Sequence, residues 1–129
     1  MNKKVVAVVV TYNRKELLKE CINSLENQTY KTLRILVVDN ASTDGTEEFV
    51  RSLNNPQIIY KNTGANLGGA GGFQFGIKKG TELNPDYLWL MDDDSIPTPN
   101  ALEKLMEEAN QIGEFGFLAS KVLWKDNSM

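Results

Sequence analysis

An α/β fold with a mainly parallel sheet is predicted by three features of this sequence. Apolar runs rich in Val, Ile and Leu alternate with amphipathic segments, as in successive strand–helix–strand units. The apolar runs are short and nearly unbroken, which is typical of strands buried on both faces. No linker, low-complexity tract or repeat interrupts the pattern, so residues 1–129 are expected to form a single domain.

The first strand is expected over Val5 to Thr11, where only the last residue is not apolar. Asn13 is expected to cap the following helix, with Glu16 three residues later completing the capping pair. Apolar residues at helical spacing predict the inner face of this helix: Leu17, Leu18, Cys21, Ile22 and Leu25.

A second strand is expected over Arg34 to Asp39. Residues 42–47 combine Ser, Thr, Asp and Gly, a composition typical of a turn that leads into a helix cap. A short helix should follow and end at residues 54–56, because Asn and Pro there do not continue a helix. Its expected apolar face is Phe49, Val50 and Leu53.

A glycine-rich stretch at residues 64–72 follows a short third strand expected over Gln57 to Lys61. With four glycines in five positions up to Gly72, this stretch is expected to be a loop that lets the backbone approach a ligand closely. The N-terminus of the next helix, expected over Phe73 to Leu83, would present amides to an anion. The inner face of that helix should include Phe73, Phe75 and Ile77.

The fourth strand is expected over Tyr87 to Met91, and a fifth over Phe115 to Val122. Between them, Thr98 and Pro99 fit the cap and the first position of a helix. The predicted inner face of this helix is Leu102, Leu105, Met106 and Ala109.

Composition excludes several classes of protein. The 41% hydrophobic and 24% charged fractions match an ordinary globular protein, and a net charge of −3 without a Lys/Arg cluster argues against nucleic-acid binding. Cys21 is the only cysteine, so no internal disulfide forms and a reducing location on the cytoplasmic side is expected. No histidine is present, which excludes histidine as an acid, base or metal ligand within the chain.

Polar residues follow each of the first four predicted strands. They are residues 11–14, Asp39, Asn66 with its glycines, and residues 92–94. Parallel strands end at the same edge of a sheet, and ligands of open α/β sheets bind there. A binding site at this edge is therefore predicted.

Asp92, Asp93 and Asp94 directly follow the apolar fourth strand. Neighbouring ionised carboxylates repel one another and resist burial, so a divalent cation is the expected partner. An EF-hand is excluded, because Pro97 stands where its turn glycine is required. A phosphatase of the haloacid-dehalogenase type, with Asp92 as nucleophile, is the enzymatic alternative, although that motif usually follows the first strand of the domain.

Asp39 has two interpretations. In a dinucleotide-binding fold it would hold a ribose, but the turn after the first strand lacks the required glycines. A carboxylate could instead accept the ring N–H of a pyrimidine, while Arg14 meets a base or a phosphate. The Walker A pattern is also absent, which argues against a P-loop nucleotidase.

Four motifs together resemble the inverting glycosyltransferases of family 2, which have a GT-A fold, a Rossmann-like three-layer sandwich. They are Val8 to Arg14, Val37 to Thr46, Asn66 to Phe73 and Met91 to Asp94. Their order and spacing are specific, and the resemblance spans nearly the whole chain. The last two motifs are more similar to the galactofuranosyltransferase and rhamnosyltransferase branches, which act in cell-envelope polysaccharide biosynthesis, than to the cellulose-synthase or chitin-synthase branches.

The resemblance implies transfer of a sugar from a UDP- or dTDP-sugar to a glycan or lipid-linked acceptor. Asp92 and Asp94 would hold Mn²⁺ or Mg²⁺ against the donor diphosphate, Asp39 would recognise the base, and Asn66 would contact the diphosphate or the sugar. The implied donor-binding set is Thr11, Tyr12, Arg14, Asp39, Asn66, Gly69, Asp92 and Asp93.

Inversion also requires a catalytic base, which this family carries downstream of the acidic strand end. No residue of the 129 is assigned to that role, and the base is expected downstream of Met129, the last residue of the sequence. The sequence is therefore expected to be the N-terminal, donor-binding portion of a longer enzyme, which could lie at the inner face of a membrane. A nucleotide-sugar-binding module without catalytic activity is the second alternative.

Overall fold

The computed structural model describes residues 3–112 and 116–119, with side chains described up to Ala109. The strands are β1 (Val5–Thr11), β2 (Leu33–Asp39), β3 (Ile58–Asn62), β4 (Tyr87–Asp92) and β5 (Gly116–Ala119). The helices are α1 (Lys15–Glu26), α2 (Thr46–Ser52), α3 (Gly68–Thr81) and α4 (Ala101–Ile112).

The sheet has the strand order β3-β2-β1-β4-β5, and every described pair of neighbouring strands is parallel. This confirms the predicted mainly parallel sheet. The register aligns Thr11 with Asp39, Asp39 with Asn62, and Val10 with Asp92. The ends of β1 to β4 therefore meet at one edge, as the sequence predicted.

Helices cover both faces of the sheet, which gives three layers. Alternate residues of β1 point to opposite faces, as strand geometry requires. Val5, Ala7 and Val9 pack with buried residues of α1, α2 and α4. Residues 6, 8 and 10 pack toward Phe73, Phe75 and Ile77 of α3 on the other face. The three-layer α/β architecture is confirmed.

The inner face of α1 is confirmed for Leu18, Cys21, Ile22 and Leu25, which are buried. Burial raises the pKa of the Cys21 thiol to about 12, in keeping with a core position. The prediction for Leu17 was wrong, because this side chain is 39% exposed.

Asn13 does not cap α1, contrary to the prediction. Its φ is 51°, in the left-handed region, and α1 begins two residues later at Lys15. The amide of Lys15 instead donates to Oδ2 of Asp44 at 3.0 Å. A residue from the loop after β2 thus supplies the cap of α1. No pattern within residues 11–17 could have indicated it.

The predicted glycine-rich loop is a loop only over residues 64–67, because α3 begins at Gly68 and residues 68–72 are helical. The buried glycines of α3, spaced four residues apart at 72, 76 and 80, form one side of the helix. A Cβ at Gly76 would come within 2.5 Å of Cγ1 of Val8 and 3.0 Å of Cγ2 of Val38. Close packing of α3 on the sheet therefore offsets the low helix propensity of glycine.

Helix α4 begins at Ala101. This is slightly later than predicted, because Thr98 and Pro99 were expected to be its cap and its first residue. The amide of Leu102 donates to Oε1 of the buried Gln28 at 3.0 Å, so this helix also has a cap from a distant residue. Its predicted inner face, Leu102, Leu105, Met106 and Ala109, is confirmed by burial.

The strands agree with their predicted positions to within one residue for β1 to β4. The fifth strand is confirmed at Gly116–Ala119, and residues 115 and 120–122 of its predicted span lie outside the described residues. No helix within residues 3–112 is both long and apolar enough to cross a membrane.

Candidate functional site

The candidate site lies where β1 and β4 end side by side. β1 pairs with β2 on one side and with β4 on the other, so the strand order reverses direction at this point. In open α/β sheets, ligands bind outside the strand ends at such a switch point. The residues that follow β1 and β4 are the segments 12–14 and 93–95.

The acidic triplet consists of Asp92, Asp93 and Asp94. One of its carboxylates is buried, and the other two are available to a ligand. Asp93 is 4% exposed, accepts a hydrogen bond from Oγ1 of Thr11 at 2.9 Å and pairs with the Arg14 guanidinium at 3.5 Å. Asp92 is half-buried and Asp94 is exposed. Among the hydrogen bonds of the described residues, none uses a carboxylate oxygen of Asp92 or Asp94. These two carboxylates therefore remain available to a ligand.

Burial and mutual repulsion make the charges of this cluster costly. Burial is the largest cause that raises the pKa of Asp92, and the neighbouring charges of Asp94 and Asp93 raise it further. Burial also raises the pKa of Asp93, although the Thr11 hydrogen bond and the Arg14 charge oppose this. Arg14 is the cation that partly offsets the cluster, and a second cation would relieve the remaining repulsion.

Asp92 and Asp94 offer oxygen ligands of the kind that Mg²⁺ and Mn²⁺ prefer. Within residues 3–112, no group of three or more His, Cys, Asp or Glu side chains is arranged to enclose a metal ion. Two carboxylates suit an ion that shares its other coordination positions with water and phosphate, as Mg²⁺ commonly does. The donor set therefore fits a divalent ion that binds together with a phosphate ligand.

Asp39 is fully buried at the end of β2. Its Oδ1 accepts the amide of Ser42 at 2.9 Å, and its Oδ2 accepts the hydroxyl of Tyr60 at 2.6 Å. Burial and the hydrogen bond to Asp39 raise the pKa of Tyr60. Tyr60 was not predicted from the sequence, because a tyrosine within a predicted strand gives no sign of which side chain its hydroxyl will contact.

Asn40 connects the end of β2 to the start of α3, a role that was not predicted from the sequence. Its Nδ2 donates to the carbonyl oxygen of Gly68 at 3.1 Å, and its Oδ1 accepts the hydroxyl of Thr63 at 3.2 Å. Asn66 uses its own Oδ1 to accept the amide of Gly68 at 3.0 Å. Asn66 and Gly69 are exposed at this end of the sheet.

Asp44 joins the loops that follow β1 and β2. Its Oδ1 accepts the amide and the hydroxyl of Thr46, at 3.2 and 2.6 Å, and its Oδ2 accepts the amide of Lys15. Burial alone would raise the pKa of Asp44, but the hydrogen bonds from Thr46 and Lys15 together lower it. One carboxylate thus serves the N-termini of both α1 and α2.

Replacing Asp44 by alanine is expected to lower the free energy of unfolding by about 1–3 kcal/mol, since each lost helix cap costs about 0.5–2 kcal/mol. The native pKa lies below the unfolded value, so this stabilisation is complete above the unfolded pKa and is lost as pH falls through the native one. Urea unfolding at several pH values should therefore show the wild type and variant converging below about pH 4. The exposed Glu20→Ala serves as control, and a constant difference down to low pH would contradict the assignment.

The structure brings Thr11, Arg14 and Asp93 into direct contact. Asp39 ends the neighbouring strand next to Thr11, while Tyr12 is 42% exposed beside this group. Asn66 and Gly69 belong to the adjoining segment at the start of α3, which Asn40 holds through its hydrogen bond to the Gly68 carbonyl oxygen. The predicted residues thus share one edge of the sheet, although Thr11, Asp39 and Asp93 are buried there.

The catalytic base expected downstream of Met129 has no counterpart in this site. Met129 itself lies outside the described residues, which end at Ala119. The position of the base therefore stays a prediction.

Comparison with known proteins identifies the class that this fold and site define. The sheet is that of GT-A glycosyltransferases. A mannosyltransferase from Pyrobaculum calidifontis, solved with GDP-Man and Mn²⁺, superposes with a TM-score of 0.72 at 24% identity, over 88% of this chain and 33% of that one. Staphylococcus aureus TarS 1–349, solved with UDP, gives a TM-score of 0.73 at 24% identity, over 84% of this chain and 32% of that one.

The family follows from the sequence match. The chain belongs to glycosyl transferase family 2, whose family model matches residues 6–127. It is 40% identical over 93 residues to galactofuranosyltransferase GlfT1 of Mycolicibacterium smegmatis, covering 72% of this chain and 30% of that protein. It is 39% identical over 99 residues to abequosyltransferase RfbV of Salmonella typhimurium, covering 73% of this chain and 29% of that protein. The chain thus spans about 30% of the length of these relatives.

The family assignment confirms the predicted resemblance. It does not favour the haloacid-dehalogenase alternative, in which Asp92 would be a phosphatase nucleophile.

Proposed function

We propose that this chain binds a UDP- or dTDP-sugar at the edge formed by β1, β2 and β4, for transfer of the sugar to a glycan or lipid-linked acceptor. The observation that carries the proposal is the division of the acidic triplet. Asp93 is held internally by Thr11 and Arg14, whereas Asp92 and Asp94 keep their carboxylates available at the switch point of the sheet.

Asp92 and Asp94 are the proposed ligands of Mn²⁺ or Mg²⁺. When bound, such an ion would stabilise the negative charge that develops on the departing nucleoside diphosphate. Arg14 adds a fixed positive charge beside the cluster, and its side chain is 56% exposed despite the ion pair with Asp93. This residue is therefore proposed to contact the donor while it orients the buried carboxylate.

Tyr12, Asp39, Asn66 and Gly69 complete the proposed donor set. The exposed ring of Tyr12 suits stacking against a nucleobase. Asp39 is proposed to recognise the base, but its carboxylate is buried and hydrogen-bonded by Tyr60. Because this carboxylate has no solvent exposure, a ring N–H would reach it only after neighbouring side chains such as Tyr60 have moved. Thr11 and Asp93 are proposed to shape the pocket through their mutual hydrogen bond.

No catalytic base is proposed within these 129 residues, and its proposed place is downstream of Met129. Donor binding is the proposed role of the chain, and a binding module without transferase activity is the second candidate.

Isothermal titration of the 129-residue chain with UDP, dTDP and GDP, each with and without Mn²⁺, tests the proposal. UDP or dTDP is expected to bind with Mn²⁺ and to bind at least about tenfold more weakly without it, because the two carboxylates repel a bare diphosphate. Absence of binding to all three nucleotides, or binding indifferent to the metal, would contradict the proposal. Release of inorganic phosphate from a phosphomonoester would instead support the phosphatase alternative.

A further inference from the structure

Asn13 links the loop after β1 to the loop after β2 through three hydrogen bonds, the longest of which, at 3.5 Å, runs from the Thr43 hydroxyl to Oδ1 of Asn13. Its backbone amide donates to Oγ of Ser42 at 2.8 Å, and its Oδ1 accepts the backbone amide of Thr43 at 2.7 Å. We refer to Asn13, Ser42 and Thr43 as the latch. The bonds run in opposite directions, so each loop fixes the other.

The backbone at Asn13 has a φ of 51°, which asparagine tolerates better than most residues. The side chain that makes this conformation accessible also accepts the Thr43 amide, which would otherwise lack that partner. Asparagine therefore suits position 13 both for its left-handed backbone and for its hydrogen bond with Thr43. Asn13 does not cap α1, since Asp44 accepts the hydrogen bond from the amide of Lys15 at the start of that helix.

The latch connects two parts of the proposed donor site. Asn13 lies between Tyr12 and Arg14 in the chain, and Ser42 uses its own amide to hold Oδ1 of Asp39. A continuous path of hydrogen bonds thus runs from the buried carboxylate of Asp39 through Ser42 to the backbone beside Tyr12. One end of this path is Asp39, and the other is the residue next to Tyr12; Asp39 and Tyr12 are the residues proposed to meet the nucleobase.

We propose that Asn13 is a positioning residue that sets Tyr12 against Asp39 at the nucleoside end of the pocket. This inference rests on the proposed donor-binding function. Asp92 is the last residue of a different strand, β4, and Asp94 follows that strand, so the latch should not affect a ligand that lacks a nucleoside. The predicted signature is a loss of affinity for the nucleotide without an equal loss for pyrophosphate.

The experiment titrates UDP, dTDP and inorganic pyrophosphate, each with Mn²⁺, into the wild type and its variants. Asn13→Gly keeps the left-handed backbone accessible but deletes the acceptor, and Asn13→Asp keeps an acceptor. The matched control is Asn84→Gly, at an exposed asparagine with a φ of 57° in the turn before β4. Asn13→Gly is expected to bind UDP or dTDP roughly tenfold more weakly, as the loss of a positioning hydrogen bond implies.

Pyrophosphate affinity should change by less than about twofold in Asn13→Gly, and Asn13→Asp should stay within about threefold of the wild type for nucleotide. Ser42→Ala should reproduce the nucleotide-specific loss, and combining it with Asn13→Gly should add little, because both break one latch. Equal losses for nucleotide and pyrophosphate, or an unchanged nucleotide affinity in Asn13→Gly, would overturn the inference. Failure of the wild type to bind any nucleotide would overturn the proposed function and this inference with it.

Discussion

Replacing Asp94 by asparagine is expected to weaken Mn²⁺-dependent binding of UDP or dTDP by at least about 100-fold. Loss of a group that merely supports a metal ligand already costs about 10–100-fold in metal affinity, and Asp94 is proposed as a ligand itself. Asp92→Asn should have a similar effect, because only these two carboxylates of the triplet are available. Titration calorimetry at a fixed Mn²⁺ concentration measures both.

Glu20→Gln is the matched control for this experiment. It removes one negative charge from an exposed position on α1, so it separates the loss of a ligand from a change in net charge. The two aspartate variants should remain folded and unfold as cooperatively as the wild type. The reason is that neither carboxylate accepts a hydrogen bond from the described residues. Nucleotide binding that survives both substitutions would exclude the proposed metal site.

Gly76→Ala is expected to lower the free energy of unfolding by about 1–3 kcal/mol, although alanine favours a helix by about 1 kcal/mol over glycine. The added Cβ would lie 2.5 Å from Cγ1 of Val8 and 3.0 Å from Cγ2 of Val38. Both valines are fully buried, so neither can move aside at low cost. Helix α3 would have to shift away from the sheet. Chemical denaturation followed by circular dichroism measures this change.

Gly69→Ala is the comparison within the same helix. A Cβ there meets no atom within 4 Å, and the residue has no positive φ. Its stability should equal that of the wild type or exceed it by up to about 1 kcal/mol. If Gly76→Ala were as stable as Gly69→Ala, close packing would not be the reason for the glycines of α3.

The order of elements and the shared edge of strand ends were predictable from the sequence, since both depend on local patterns. The run from Val5 to Val10 is apolar at every position, which specifies a strand covered on both faces. Asp39 and Asp92 stand at the ends of such runs, so parallel pairing alone places them at one edge.

The local rules failed where a distant partner decides the conformation. Gly68 to Gly72 disfavour a helix by propensity, yet they form the start of α3, which packs on the sheet with Gly72 against Val10 and Gly76 against Val8. The cap of α1 comes from Asp44, far along the chain, and so the fit of Asn13 and Glu16 to a capping pattern was misleading. Packing and hydrogen bonds across long separations carry more free energy than these weak local preferences.

The α/β class, the edge of the sheet that carries the polar groups, and the acidic triplet as a candidate metal site were all predictable from the residues alone. Long-range contacts were needed to show which carboxylates of the triplet are available and which one is held by Thr11 and Arg14. The same is true of the hydrogen bond from the Tyr60 hydroxyl to Asp39 and of the two loops that Asn13 joins. The physical reason is that strand periodicity is encoded in adjacent residues, whereas the partner of a side chain depends on which distant segments the fold brings together.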